Sequence, residues 1–247
     1  MKKPVFITAG NSDALRYAKL WLTRWGYVPS DTPSQHATHL LLPIPSMESV
    51  STLKGGQPLA DVLERLPQDI TILGGNLPSL PYHSMDLLQD EGYLTENAAI
   101  TARCAVKILQ GHLATQDVKE KNILIIGWGR IGKQLAAMLK DMNANITVAI
   151  RKESDYEALS KNRTNVVYIG HWDLTKYDVI INTAPAPLLQ ASDTNPSTLL
   201  MDLASIKGIE GDRVIWARGL PNKEAPEESG ILIAKTALRF ALGKENI

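Results

Sequence analysis

The apolar residues of this chain come in short unbroken runs, and the stretches between them carry helical spacing. Residues 5–8, 40–42 and 70–73 are three such runs in the first half. After the first, Asn11 or Ser12 can cap a helix whose apolar positions are Leu15, Ala18, Leu20, Leu22 and Trp25, and Gly26 ends it. Pro43 and Pro45 stop the second run, residues 54–58 form a turn, and a helix follows through Leu63. The third run ends at Gly74, Gly75 and Asn76, before a loop holding Pro78 and Pro81. Buried strands split by helices predict a parallel sheet.

From Glu96 to about His112 the pattern is helical, with Ala98, Ala99, Ala102, Ala105, Val106 and Leu109 on one face. A second set of strands then begins at residues 122–126. A helix follows through Ile131, Leu135, Met138 and Leu139, broken at Asn143 and Asn145, and the next strand is 146–150. Further strands are predicted at 166–169, 179–182, 199–202 and 214–216, and a last helix from about Glu227 to Leu242. No internal repeat links the two halves.

Length and composition change this picture little. The 247 residues suit one large or two small domains, with 44% hydrophobic and 21% charged residues, as in ordinary globular chains. A formal net charge of zero removes a bulk positive field, so neither nucleic acid nor an anionic membrane is expected as a partner. One cysteine, Cys104, permits no intrachain disulfide and no cysteine metal cluster, and no metal site is expected. No apolar run reaches the roughly 20 residues that span a bilayer, and no secretory signal pattern stands at the N-terminus. The expected location is cytoplasmic.

Between the strand at 122–126 and the helix after it lies Gly127, Trp128, Gly129, Arg130, Ile131, Gly132. A G-x-G-x-x-G pattern alone says little. Here a strand ends at it, a helix starts in it, and a second strand lies about 20 residues on, which is the dinucleotide-binding unit. Gly127 permits the tight turn, Gly129 lets backbone approach a pyrophosphate, and Gly132 lets helix and strand pack closely. The helix N-terminus adds unpaired N–H groups for the phosphates. Arg130 either stacks on an adenine or reaches a phosphate.

The second strand ends in Arg151 and Lys152, followed by Glu153. Binders of NAD place an acid near that point for the ribose 2′-hydroxyl, whereas an arginine suits the 2′-phosphate of NADP. The charge favours NADP, with NAD possible if Arg151 and Lys152 are a solvated strand end and Glu153 takes the ribose. Asn182, Thr183, Ala184 and Pro185 follow a later strand at the edge where ligands sit in open α/β sheets. Asp202 and Ala204 end the next one, Asp202 being either a ligand contact or a turn cap. Gly219, Leu220 and Pro221 follow the last strand.

The expected architecture is therefore α/β with two α/β domains, the second a Rossmann-type dinucleotide-binding domain. Residues 1–96 form a substrate or catalytic domain, 97–114 a crossover helix, and 115–225 the NAD(P)-binding domain. Residues 226–247 form a C-terminal helix returning to the first domain, by analogy with two-domain dehydrogenases.

These pieces together resemble the A-subunit family of dipicolinate synthase. The resemblance is carried by the glycine turn, by Ala149-Ile150-Arg151-Lys152, Ile181-Asn182-Thr183-Ala184-Pro185 and Asp202-Leu203-Ala204-Ser205, and by the segment from Gly219 to Pro226. Asn97-Ala98-Ala99-Ile100-Thr101-Ala102 adds to it before the crossover. The chain departs from the family pattern at Arg103 and Cys104, at Asn222, and between Ser205 and Val214, where a helix is missing. The resemblance implies an NADP-dependent oxidoreductase that oxidises a dihydro- or tetrahydrodipicolinate precursor to pyridine-2,6-dicarboxylate, a product of bacterial sporulation. It also implies that the partner is a flavoprotein-like B subunit, and by analogy a homo-oligomer is expected.

A dicarboxylate substrate needs cationic or N–H partners. Asn97, Thr101, Arg103 and Lys223 are the candidates, with Arg103 equally readable as a solvated helix position. The catalytic acid or base is unknown, because His36, His39, His83, His112 and His171 stand in no acid–base motif. Two alternatives stay open: a non-catalytic nucleotide-binding subunit or sensor, and a dehydrogenase of this fold acting on another small acid.

Overall fold

A computed structural model describes residues 3–113, 117–161 and 163–243. The chain divides into two compact units, Met1–Asn97 with Pro221–Ile247, and Ala98–Leu220. The division falls inside a helix and at Leu220, against the expected limits of 96 and 225. The expected end of the crossover helix at 114, and the last four positions of the C-terminal segment, lie outside the described residues.

The first unit opens with β1 (Phe6–Thr8), α1 (Asp13–Arg24), β2 (His39–Leu41), α2 (Leu59–Leu63), β3 (Thr71–Gly74) and β4 (Ser84–Asp86). The four strands pair in sequence order and all run parallel. Ser12 caps α1, its hydroxyl accepting from the Leu15 N–H at 3.1 Å. Ile7, Leu40 and Ile72 are in register across three strands and join Leu59 and Val62 of α2 in one buried cluster. β4 was not expected: it is a three-residue edge strand with no buried residue. α3 (Glu91–His112) starts five positions before the expected Glu96.

The second unit continues with β5 (Asn122–Ile126), α4 (Arg130–Asp141), β6 (Asn145–Ile150), α5 (Glu153–Lys161), β7 (Asn165–Tyr168) and β8 (Val179–Asn182). It closes with β9 (Leu189–Gln190), β10 (Leu199–Asp202), β11 (Ile209–Glu210) and β12 (Val214–Trp216). Six strands form one parallel sheet in the order β12-β10-β8-β5-β6-β7. This is the strand order of a dinucleotide-binding doubly wound sheet, and it reverses direction between β5 and β8. The unit is thus Rossmann-like, as the glycine turn predicts.

Helices α4 and α5 pack on the β5–β6–β7 half. In the other half the short connections between β8, β10 and β12 make a two-stranded parallel ribbon, β9 with β11. Leu189 and Ile209 of that ribbon are buried with Leu124, Ile126, Ile180 and Leu200. The ribbon therefore covers apolar strand surface in that half of the sheet.

Two helices end the chain, α6 (Leu220–Glu224) and α7 (Pro226–Leu242). Within the first unit α7 packs along α1. The approach is close: a Cβ at Gly230 would stand 2.4 Å from that of Tyr17 and 2.7 Å from the Ala14 carbonyl oxygen. Among the described residues no helix is long and apolar enough to cross a membrane.

Candidate nucleotide site

The sheet reversal opens a crevice between the carboxyl ends of β5 and β8, which is where open α/β sheets place ligands. A cavity of about 420 Å³ lies there. On one side it is lined by Gly127, Trp128 and Gly129 after β5, and on the other by Thr183, Ala184, Pro185, Ala186 and Leu188 after β8. Arg151, Lys152 and Asp155 line a third side, past the end of β6, with Ile169 beyond β7.

The three glycines of the turn have different physical duties. Gly127 sits at φ +99°, a left-handed conformation that other residues resist, and its N–H donates to the Ala149 carbonyl at 2.9 Å. A Cβ on Gly132 would meet the Gly127 carbonyl oxygen at 2.2 Å, so only glycine lets α4 start so near the strand. Gly129 has an ordinary extended conformation at φ −78° and nothing within 4 Å of a Cβ position. Neither strain nor packing demands glycine at Gly129. The demand left is space at the N-terminus of α4, where backbone N–H groups and the helix dipole favour a phosphate. The site therefore fits a dinucleotide.

Thr183 braces this turn. Its hydroxyl and its N–H both donate to the Ile126 carbonyl, each at 2.9 Å. The side chain of Lys133 lies over the Trp128 ring, 5.9 Å from its centroid. Arg151 and Lys152 are exposed at the cavity's edge, on the side where the ribose of an adenosine would lie.

Of the residues expected at the cofactor, Gly127, Gly129, Arg151, Lys152, Thr183, Ala184 and Pro185 line the cavity together. Gly132 supports it from behind. Arg130 and Ile131, in the first turn of α4, do not line it.

Asn182 requires correction, and of the two readings of Asp202 the geometry is that of a turn cap. Both are fully buried, at 0% exposure, and neither faces the cavity. The Asp202 carboxylate accepts from the backbone N–H groups of Ala204 (3.0 Å), Gly208 (2.6 Å) and Ile209 (2.9 Å), and from the Asn182 amide at 3.0 Å. The same amide donates to the Ala184 carbonyl, and the Asn182 side-chain oxygen accepts from the Ala184 N–H, each at 3.0 Å. The pair shapes the loops after β8 and β10, because four donors occupy the carboxylate. Ala204, Leu220 and Pro221 are buried and Gly219 is exposed, and none of these lines the cavity.

The expected substrate contacts stand elsewhere. Thr101 is buried and Asn97 half-buried on α3, Arg103 is exposed on α3, and Lys223 is exposed on α6. None of the five histidines lines this cavity. Cys104 is buried. Among the described residues no group of three His, Cys, Asp or Glu is placed to hold a metal.

Asp155, Ala186, Leu188 and Ile169 were missed. Asp155 belongs to α5, a helix with one buried residue, Leu159, and so with too little apolar periodicity to be read from sequence. At its first position, Glu153 accepts a hydrogen bond from the Tyr168 hydroxyl. That bond, with minor help from desolvation and the carboxylate's charge, pushes the tyrosine pKa up to about 12.

Comparison with known proteins agrees with this geometry. Residues 96–191 match the family D-isomer specific 2-hydroxyacid dehydrogenase, NAD binding domain. The A subunit of dipicolinate synthase from Bacillus subtilis (strain 168) is 23% identical over 233 residues, which span 83% of this chain and 77% of that protein. The crystal structure of the A subunit of dipicolinate synthase from Bacillus halodurans superposes with a TM-score of 0.80 at 18% identity, covering 96% of this chain and 97% of the other. The A chain of dipicolinate synthase from Bacillus subtilis gives 0.79 at 20% identity, covering 98% and 97%. The chain thus resembles the A subunit of dipicolinate synthase over most of its length, and its residues 96–191 resemble the NAD binding domain of D-isomer specific 2-hydroxyacid dehydrogenases, which indicates a nicotinamide dinucleotide as the ligand.

Proposed function

We propose that this protein is an NADP-dependent oxidoreductase that oxidises a cyclic dihydro- or tetrahydrodipicolinate precursor to pyridine-2,6-dicarboxylate, in line with its resemblance to the A subunit of dipicolinate synthase. The observation that carries the reading is the space beside Gly129, open to a cavity edged by Arg151 and Lys152. The N–H groups at the start of α4 hold the pyrophosphate. Arg151 offers a planar fork to a 2′-phosphate and Lys152 a second charge. Thr183, Ala184, Pro185, Ala186 and Leu188 form the wall on the β8 side, stiffened by Pro185. When bound, the nicotinamide would supply a carbon that accepts hydride, the accompanying proton passing to solvent; a dihydro precursor needs one such two-electron oxidation, and a tetrahydro precursor two in succession with two molecules of NADP. Asn97, Thr101, Arg103 and Lys223 are proposed for the dicarboxylate. A homo-oligomer and a flavoprotein-like B subunit belong to the same proposal, together with a cytoplasmic location and a role in sporulation.

The test is turnover. The purified protein, alone and with a B-like subunit, is given NADP and the cyclic precursor. The reading expects absorbance at the reduced-nicotinamide band to rise and pyridine-2,6-dicarboxylate to form. Absence of turnover in both mixtures contradicts it.

Two observations favour other readings. Asp155 lines the cavity and offers an acceptor for a ribose 2′-hydroxyl, which suits NAD. The absence of histidine from the cavity lining suits a nucleotide-binding subunit or sensor without turnover.

A further inference from the structure

We infer that the Tyr168 hydroxyl selects the cofactor, by holding the Glu153 carboxylate away from the site of the adenosine ribose. The inference rests on the proposed NADP preference and extends it to a residue outside the cavity. It starts from a conflict in the sequence. Glu153 stands just past the end of β6, where NAD binders keep an acid for the 2′-hydroxyl, yet Arg151 and Lys152 beside it suit a 2′-phosphate. An unrestrained carboxylate at that point would repel the phosphate and attract the bare ribose.

The geometry resolves the conflict. Arg151, Lys152 and Asp155 line the cavity, and Glu153 does not. Tyr168 ends β7, directly opposite Ile150 at the end of β6. From there its hydroxyl donates to Glu153 Oε2. The Tyr168 ring is fixed in turn by stacking on Tyr156 of α5, with centroids 6.2 Å apart and planes 10° from parallel. A tyrosine is protonated at neutral and mildly alkaline pH in any case, so the donor is present under working conditions. Two rings and one hydroxyl thus fix a carboxylate that sequence alone leaves ambiguous.

The test is a set of nucleotide titrations by calorimetry, using wild type, Tyr168→Phe, Glu153→Gln and the double variant. Phenylalanine keeps the stack and removes only the donor. The expected result is that Tyr168→Phe binds NADH more tightly and NADPH more weakly, so that the preference for NADPH falls at least about tenfold. Glu153→Gln in the Tyr168→Phe background restores the wild-type preference. A wild-type preference that Tyr168→Phe leaves unchanged overturns the inference while the NADP reading stands. A shift that persists in the double variant also overturns it, and assigns the acceptor to Asp155. If wild type prefers NADH or binds neither nucleotide, the NADP reading falls and takes the inference with it.

Discussion

At the scale of single residues, the glycine turn separates what builds the fold from what binds. Gly132 serves packing, because a Cβ there would press on the Gly127 carbonyl at 2.2 Å, whereas Gly129 serves only the space before α4. Two alanine substitutions should therefore diverge. Gly132→Ala forces backbone apart and is expected to cost about 2 kcal/mol of stability or more, read by urea denaturation. Gly129→Ala should lose no more than about 1 kcal/mol, the cost of alanine at the N-cap of α4, but bind NADPH at least about tenfold more weakly. Equal stability losses in both would remove the distinction, and unimpaired binding in Gly129→Ala would remove the phosphate from the turn. Residue identity was less informative at Asn182 and Asp202. A buried carboxylate that orders a loop and an exposed one that meets a ribose are the same letter in a sequence. Their difference lies in the backbone donors that Gly208 and Ile209 bring back from six and seven positions further on.

At the scale of elements, legibility followed burial. The strands β5, β6, β8 and β10 were readable as apolar runs because their residues are buried in the sheet, whereas the edge strand β12 buries no residue and was readable only from its β-branched and aromatic composition. The α5 helix and the β4 edge strand escaped because each buries almost nothing, Leu159 being the exception in α5. The early start of α3 escaped for a different reason: it is fixed by polar contacts. Asp90 accepts from the Tyr93 N–H at 2.7 Å and pairs with Arg239 of α7 at 2.5 Å, within the first unit. Burial alone pushes the Asp90 carboxyl up, but the Arg239 hydrogen bond, the Tyr93 N–H and the Arg239 charge together hold it below the usual carboxylate range. A depressed folded pKa means that this contribution is complete above the unfolded value and is lost as pH falls through the folded one. His39 in β2 acts in the same direction, since burial, with a smaller effect of the His83 charge, lowers its pKa. The unfolded chain then takes up that proton first. Stability should therefore decline on acidification, beginning below about pH 6.5 through His39 and steepening below about pH 4 through Asp90. Melting temperatures across that range check this, and Asp90→Asn should flatten the acid end. Stability that rises as pH is lowered from about 6.5 to about 4 would contradict it.

At the scale of the whole molecule, two parallel α/β units were legible from the alternation of runs, and the Rossmann-like order of the second follows from the pairing of β5 with β8. The connections of its far half were not legible: the β9–β11 ribbon does a helix's covering with two residues per strand. The nucleotide cavity depends on the second unit alone, since every residue lining it lies between Ala98 and Leu220. The central claim is that this cavity takes a nicotinamide dinucleotide, with Arg151 reading the 2′-phosphate. The most direct measurement is a calorimetric titration of NADPH and NADH into wild type and Arg151→Ala. The account predicts that wild type binds NADPH more tightly, and that Arg151→Ala weakens NADPH roughly tenfold or more while leaving NADH nearly unchanged. Binding of neither nucleotide to a folded wild-type protein would make the glycine turn purely structural and contradict the account.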